Sequence, residues 1–436
     1  VKPKVLIAAT DRWYPTARLA MALANAGCVV EALCPSGHPV AKTSAARRIH
    51  DYNGLMPLAS FARAIRDTDP NVVIPSDDLA TRHLHQLYNQ ERRRGKRGFQ
   101  VCGLIERSLG SAESFEVVYS RAAFMQLAAE EGVRVPKTEV VTNTNDLRNW
   151  ITRMGFPTVL KANGTSGGDG VRVVNTAEEA ERAFRKLQAP PMLARAVKWA
   201  LVDRDLTLIW PSLFRRRHTI NAQAFVAGNE ATSTIACWNG SVLASLHFEV
   251  LQKVGPTGHA TVVRLIEHPE MSSAAEKIAR RLKLSGLHGL DFMLEALTGN
   301  AYLIEMNPRV TQVGHLALGR GRDLPAALYA ALTGRNVQPA REVIENDTIA
   351  LFPQEWTRDP ASPLLLSGYH DVPWEEPALV RACVSKVRKQ RAQNLLQTRS
   401  APVVYRRSTG EAQGAAQLAE QKEIRASFVI DLARRK

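Results

Sequence analysis

Lys161 ends a short β-type run, PTVLK, and a loop carrying Gly164, Gly167, Gly168 and Gly170 follows it before a second run, VRVV. Side chains alternate across a strand, so Val159 and Lys161 share a face. Glycines let a loop backbone come close to phosphate oxygens and aim N–H groups at them. A preceding lysine adds a compact positive charge, and Ser166 adds a hydroxyl donor. A P-loop carries its lysine after the glycines, at the mouth of a helix, so this strand–loop–strand excludes that architecture. Alone, it reads equally well as a glycine-rich hairpin with a surface lysine.

A second stretch, GLHGLDFMLEALTGNAYLIEMNPRV, reads as two strands around a Thr298-Gly299-Asn300 turn. Alternation puts Glu305, Asn307 and Arg309 on one face, and Asp291 with Met293 on one face of the preceding strand. An odd loop sets Asp291 opposite Asn307 and Met293 opposite Glu305, gathering the polar groups on one side; an even loop splits them. Two carboxylates and an amide oxygen suit Mg²⁺, which keeps waters and completes its shell with substrate phosphates. Pro308 ends the strand by removing a ladder donor and aims Arg309 out of the sheet. A half-exposed hairpin facing water is the simpler reading of Asp291 alone. The adjacent arginine and the separate lysine–glycine loop reverse it, because Lys161 and Arg309 can counter polyphosphate charge that Asp291 and Glu305 partly offset through a metal.

These residues need a scaffold. KVLIAAT, then the helical RLAMALANAG ending at Gly27, then CVVEALCP form a βαβ unit, continued by the helical FARAIRDTDP and the strand NVVIPSDD. Asp77 and Asp78 close that strand, where open parallel sheets bind ligands. The first loop, TDRWYPTAR, lacks GxGxxG, so no dinucleotide site is indicated. ERRRGKRG reads as an exposed basic loop. A new unit begins near Ser111, with SRAAFMQLAAEEG helical to Gly132, VRVPKTEVV a strand and DLRNWITRMG a helix; LPAALYAALTG is helical again. The pattern alone gives a small parallel-sheet α/β domain over residues 1–110 and a new unit from residue 111 onward.

At 436 residues the chain is too long for one small module, and 45% hydrophobic with 23% charged residues excludes a mostly disordered or collagen-like protein. No apolar run reaches the roughly 18 residues of a membrane-spanning helix. The five cysteines, Cys28, Cys34, Cys102, Cys237 and Cys383, include no CxxC pair, so neither a disulfide framework nor a zinc knuckle is suggested, and a cytoplasmic location is expected. Of the net charge of +15, +9 falls in residues 381–436, with 13 Lys+Arg against 4 Asp+Glu. That tail lacks the aromatic interleaving of a base-stacking surface, which weighs against a nucleic-acid partner.

In LKANGTSGGDGVRVV and in DFMLEALTGNAYLIEMNPRV, and less closely in SRAAFMQLAAEEGVRVP, the chain resembles the ATP-grasp superfamily. Within it, the ATP-binding units of the carbamoyl-phosphate synthetase large subunit and the carboxylate–amine ligases are the nearest in pattern, over roughly residues 111–334. The resemblance implies an α/β and α+β multidomain fold in which the α/β domain precedes two α+β lobes that hold ATP between them, with ATP and Mg²⁺ (or Mn²⁺) as cofactors. By the resemblance the first lobe, with the glycine-rich loop, covers 111–190 and the second, with the metal site, 191–335, followed by a C-terminal extension over 336–436. It implies that Arg121 and Lys161 contact ATP phosphates, and that Gly164, Ser166, Gly167, Gly168 and Gly170 cover them. By the same resemblance Asp291, Glu305 and Asn307 hold the metal, and Arg309 stabilises the transferring phosphate or an acylphosphate. Many members carry lysine where this chain has Arg121, an exchange that keeps the charge and adds a phosphate fork. The adenine hinge usually ends in glutamate, whereas PMLARAV offers no acid, so Leu193 and Ala194 carry over only as backbone contacts. Residues 198–217 look like an insertion, whose Arg215-Arg216-Arg217 cluster reads as a solvated face. Gln312 and His315 are placed to face the acceptor, with His315 either a general base or a structural histidine.

The implied activity is an ADP-forming ligase that joins a small-molecule carboxylate to an amine through an acylphosphate, with a homodimer compatible. One such unit is too little for full carbamoyl-phosphate synthesis, and a biotin-dependent carboxylase shares the fold. A sensor or interaction protein that binds ATP without turnover is the alternative.

Overall fold

The computed structural model describes residues 2–164, 170–189, 218–335 and 346–385. The chain divides into two compact units, Val1–Glu249 with Ile266–Val343, and Val250–Leu265 with Ile344–Lys436.

The first unit begins with four parallel strands, β1 (Lys4–Ala8), β2 (Val29–Cys34), β3 (Ala46–Asp51) and β4 (Val72–Pro75), in the order β3-β2-β1-β4. Helices α1 (Tyr14–Asn25), α2 (Pro57–Thr68), α3 (Asp78–Arg92) and α4 (Phe99–Leu109) connect and follow them. The continuous apolar runs KVLIA and VVIP are buried as central strands sandwiched between layers must be, and Leu6, Phe61, Val73, Leu84 and Ile105 share one core. The edge strand β3, ARRIHD, was not expected: four of its six residues are charged or histidine, and it carries no apolar run.

Asp77 caps α3. Its carboxylate accepts from the Ala80 N–H at 2.8 Å, and from the Thr10 N–H at 2.6 Å and hydroxyl at 2.8 Å, which also ties down the exit of β1. The next residue, Asp78, thereby lies just beyond the carboxyl end of β4, at the first residue of α3.

After α5 (Arg121–Glu130), which ends as expected before Gly132 at φ +68°, comes a second four-stranded sheet. It is antiparallel, ordered β5-β8-β6-β7, from β5 (Thr138–Val141), β6 (Thr158–Ala162), β7 (Val171–Val174) and β8 (Ile220–Ala224). Helices α6 (Thr144–Met154) and α7 (Ala177–Gln188) bury Trp150, Leu147, Phe184 and Ala180 against it. Each helix starts at a side-chain cap, Asn143 accepting from the Asp146 N–H at 3.0 Å and Thr176 from the Glu179 N–H at 3.2 Å. Lys161 on β6 faces Asn221 on β8 in the ladder, so the two side chains share a face.

The third sheet is antiparallel and contains β9 (Gly228–Trp238), β10 (Ser241–Lys253), β11 (Ala260–Ile266), β12 (Gly286–Glu295) and β13 (Ala301–Asn307); in the first unit its order is β13-β12-β9-β10. One face packs Ile235, Leu290 and Phe292 against Met271, Ala275 and Ile278 of the helix Pro269–Leu282. Every second residue of β9, β12 and β13 therefore points the other way.

In the second unit β11 pairs antiparallel with β14 (Thr348–Leu351), and β15 (Tyr369–Asp371) joins β14 in parallel. Val262, Ala350, Trp356 and Leu365 form its small core, beside which the Thr261 hydroxyl donates to the buried Glu355 at 2.7 Å. Among the described residues no helix is long and apolar enough to cross a membrane.

Candidate functional site

The register of the β12–β13 hairpin departs from both expected pairings. Asp291 lies opposite Glu305 and Gly289 opposite Asn307, while Met293 faces Tyr302. At the tip Glu295 faces Asn300 around the four residues Ala296–Gly299, an even turn that would put Asp291 against Ile304. The ladder instead shifts by one residue between Asp291 and Phe292, where Ile304 bulges out without a partner across the strand. That irregularity corrects the parity. It brings the two carboxylates face to face and frees the Ile304 carbonyl, which accepts from the Lys161 ammonium at 3.3 Å.

Around this pair the polar side chains form a chain. Thr232 on β9 donates its hydroxyl to Asp291 Oδ1 at 2.9 Å, and Asn307 Nδ2 donates to Asp291 Oδ2 at 2.8 Å. Arg309 donates to Asn307 Oδ1 at 3.3 Å, pairs with Asp78 at 3.1 Å, and lies 5.5 Å from the centre of the Trp13 ring. The strand end is clamped to α3 by the Thr81 hydroxyl, which donates to the Pro308 carbonyl at 3.0 Å. Arg121, at the start of α5, pairs with Glu305 at 2.5 Å and also donates to the Ala162 carbonyl.

Burial and like charge set the electrostatics. Asp291 is pushed up to about 6, first by burial and then by Glu305, against the donors Asn307 and Thr232. Lys161, 4% exposed, is pushed down to about 8 by burial, with Arg121 adding to the shift and Glu305 and Asp291 opposing it. For Arg309 burial alone would lower the value, but Asp78, Asp77 and Asp291 outweigh it and hold the guanidinium above its ordinary range.

Two half-buried carboxylates set opposite each other, with an amide beside them, are the donor set a hard divalent cation fits: it takes oxygen ligands and relieves their repulsion. Among the described residues no cluster of three His, Cys, Asp or Glu side chains offers a softer metal site.

Gly289 makes the approach of Asn307 feasible. A Cβ there would lie 2.2 Å from Thr311 Cγ2 and 3.3 Å from Asn307 Cβ. Gly289→Ala is expected to cost about 1–3 kcal/mol. It should lower the thermal midpoint in calorimetry and displace Asn307; an unchanged midpoint would show the pocket yields freely.

Of the residues singled out in the sequence, Arg121, Lys161, Asp291, Glu305, Asn307 and Arg309 come together here. Gly164, at φ +74°, and Gly170, whose carbonyl accepts from the Ala162 N–H at 2.9 Å, flank the glycine loop. Ser166, Gly167, Gly168, Leu193, Ala194, residues 198–217 and the tail beyond residue 385 lie outside the described residues. Gln312 is half-buried, and His315 is buried in a turn, not at a helix start, with the next helix beginning only at Leu324.

Sequence reasoning missed three contributors. Thr232 and the Ile304 carbonyl carry no chemical signature of their own. Asn221 is fully buried with its Nδ2 donating to Asn163 Oδ1 at 2.8 Å and to the Lys161 carbonyl at 3.3 Å, leaving its Oδ1 without a hydrogen-bond partner among the described residues beside Lys161. The strand INAQA could have flagged it, since a polar residue at an inward position needs a reason.

Residues 120–319 match the family described as the ATP-binding domain of the carbamoyl-phosphate synthase L chain. The chain is 26% identical over 225 residues to the carbamoyl phosphate synthase large chain of Thermus thermophilus, covering 51% of this chain and 20% of that one. It is 25% identical over 283 residues to the formate-dependent phosphoribosylglycinamide formyltransferase of Bacteroides thetaiotaomicron, covering 61% of each. It thus spans from a fifth to about three fifths of the length of these curated relatives. Among solved structures, the biotin carboxylase domain of the 2-oxoglutarate carboxylase of Hydrogenobacter thermophilus, solved with MgADP and bicarbonate, superposes with a TM-score of 0.54. That match has 16% identity and covers 79% of this chain and 73% of that one.

Proposed function

We propose, from the premise that this chain belongs to the ATP-grasp superfamily, that it is an ATP-dependent ligase joining a carboxylate to an amine through an acylphosphate, with release of ADP and phosphate. The observation that carries this reading is the Asp291–Glu305 pair facing each other beside Asn307, with the buried Lys161 ammonium seated on the same strand at Ile304. In this reading residues 1–110 form the acceptor-side domain, 111–190 and 191–335 the two ATP lobes, and 336–436 an extension.

Asp291, Glu305 and Asn307 would hold Mg²⁺ or Mn²⁺, which when bound neutralises phosphate charge. Lys161 and Arg121 would bind and orient the phosphates. Arg309, fixed by Asp78 and Asn307, stands where it can stabilise the phosphoryl group passing to the substrate carboxylate. The acylphosphate then needs only a positioned amine, because phosphoryl transfer depends on charge and alignment and calls for no protein nucleophile. Gln312 and His315 follow Arg309 in sequence on the acceptor side. In this reading the protein is a cytoplasmic ligase acting on small molecules, alone or as a homodimer.

ADP release from MgATP over pooled carboxylates and amines tests the reading. Turnover dependent on both pools supports it; ATP binding without turnover in any pool supports the sensor instead. A pH signature accompanies binding. The free protein's Lys161 loses its charge above about 8, whereas a bound triphosphate keeps it protonated. Binding is therefore expected to take up protons and to weaken as pH rises past that value. Calorimetry in buffers of different ionisation enthalpy reads this directly, and an uptake of zero would exclude Lys161 as the phosphate cation.

A further inference from the structure

We propose that Arg121 and Glu305 are an exchangeable ion pair that selects metal-complexed nucleotide over the free triphosphate. The inference rests on the nucleotide reading above and extends it to specificity. Arg121 does not wait as an open cation. Its guanidinium meets Glu305 at 2.5 Å with side-chain exposures of 11% and 26%, and its other arm is engaged by the Ala162 carbonyl. Glu305 has two competing uses for one charge. It can neutralise Arg121, or it can join Asp291, directly across the ladder, in holding a divalent cation.

The two uses exclude each other at that carboxylate. Without a cation, an incoming polyphosphate meets an arginine already neutralised, and next to it an acid whose neighbour Asp291 repels anions. Once Glu305 gives its charge to a cation, Arg121 turns its fork to a phosphate oxygen, a bidentate partner a guanidinium suits. Cation and nucleotide then strengthen each other's binding by one shared factor, since coupling between two sites is reciprocal. Lys161 behaves differently, because its resting partner is the neutral Ile304 carbonyl, so its charge is available whether or not a cation is present.

The test uses ADP as probe, with the full chain, by calorimetry in excess EDTA and in Mn²⁺. The wild type is expected to bind ADP about 10- to 100-fold more tightly with Mn²⁺. Glu305→Gln should bind metal-free ADP about tenfold more tightly than the wild type and lose most of the Mn²⁺ enhancement. Arg121→Ala should weaken Mn²⁺-dependent binding by a larger factor than metal-free binding, whereas an ordinary phosphate-binding arginine would lose both alike.

The double variant separates exchange from mere removal of a repelling acid. If the Glu305→Gln gain shrinks several-fold in the Arg121→Ala background, the exchange stands. If the gain is undiminished there, or if folded Glu305→Gln shows no gain, the exchange is overturned while the nucleotide site survives. Failure of the wild type to bind ADP under either condition would take down the nucleotide reading and this inference together.

Discussion

Lys161→Met is expected to weaken nucleotide binding by about a hundredfold and at the same time to make the protein harder to unfold. The first half follows from removing a charged partner from a buried phosphate contact, a loss of about 2–3 kcal/mol. The second follows from the resting state. The folded chain pushes this ammonium from 10.5 down to about 8, so at pH 7 folding must bury a charge it disfavours by roughly 3 kcal/mol.

The sign fixes the window. Below about 8 the cost is present in full; it fades as pH climbs, because the folded state sheds its proton before the unfolded chain does, and it is gone above the unfolded value near 10.5. Methionine, of similar length and apolar, avoids the cost. Chemical denaturation should therefore show the variant ahead at pH 7 and the two proteins converging near pH 10.5. A variant that is less stable at pH 7 would mean that the Ile304 carbonyl and the nearby acids already compensate the buried charge.

Asn307→Ala should reduce ADP-releasing turnover by about two to three orders of magnitude, with a smaller effect on ATP affinity. Asn307 touches both halves of the site. Its Nδ2 holds Asp291 Oδ2 at 2.8 Å and its Oδ1 receives Arg309 at 3.3 Å, so one truncation loosens an acid and an arginine together. Its donor also helps keep Asp291 ionised against burial and Glu305. Saturating ATP therefore should not rescue the rate. If the kcat falls less than tenfold while KM for ATP rises a hundredfold, Asn307 would belong to ground-state nucleotide binding, and Arg309 would need another support.

The parallel first sheet was legible because buried strands there are uninterrupted apolar runs, and the two strands on either side of the glycine stretch were legible as the β-type runs PTVLK and VRVV. The edge strand β3 was not, since ARRIHD carries no such run. The acids were visible in the sequence, but their pairing was not. Turn length alone argues for one parity, and only the backbone irregularity at Ile304 reverses it. Asp78 was legible as a strand-end carboxylate, yet its partner Arg309 comes from another sheet; the nearby Thr81–Pro308 contact joins residues 227 apart. Thr232 is one more hydroxyl in a β-rich run, and only the register that places it opposite Asp291 gives it a task.

The hairpin continues well past its bulge. Beyond Ile304 the two strands run on to a tip where Leu297 is 96% exposed and a Cβ on Gly299 would meet nothing within 4 Å, while Asp291, Glu305 and Asn307 lie on the near side of the irregularity. A fluorescent label or a short epitope grafted at Leu297 would therefore ride on the molecule as a passenger, offering a handle for watching the protein without touching the groups that define its chemistry.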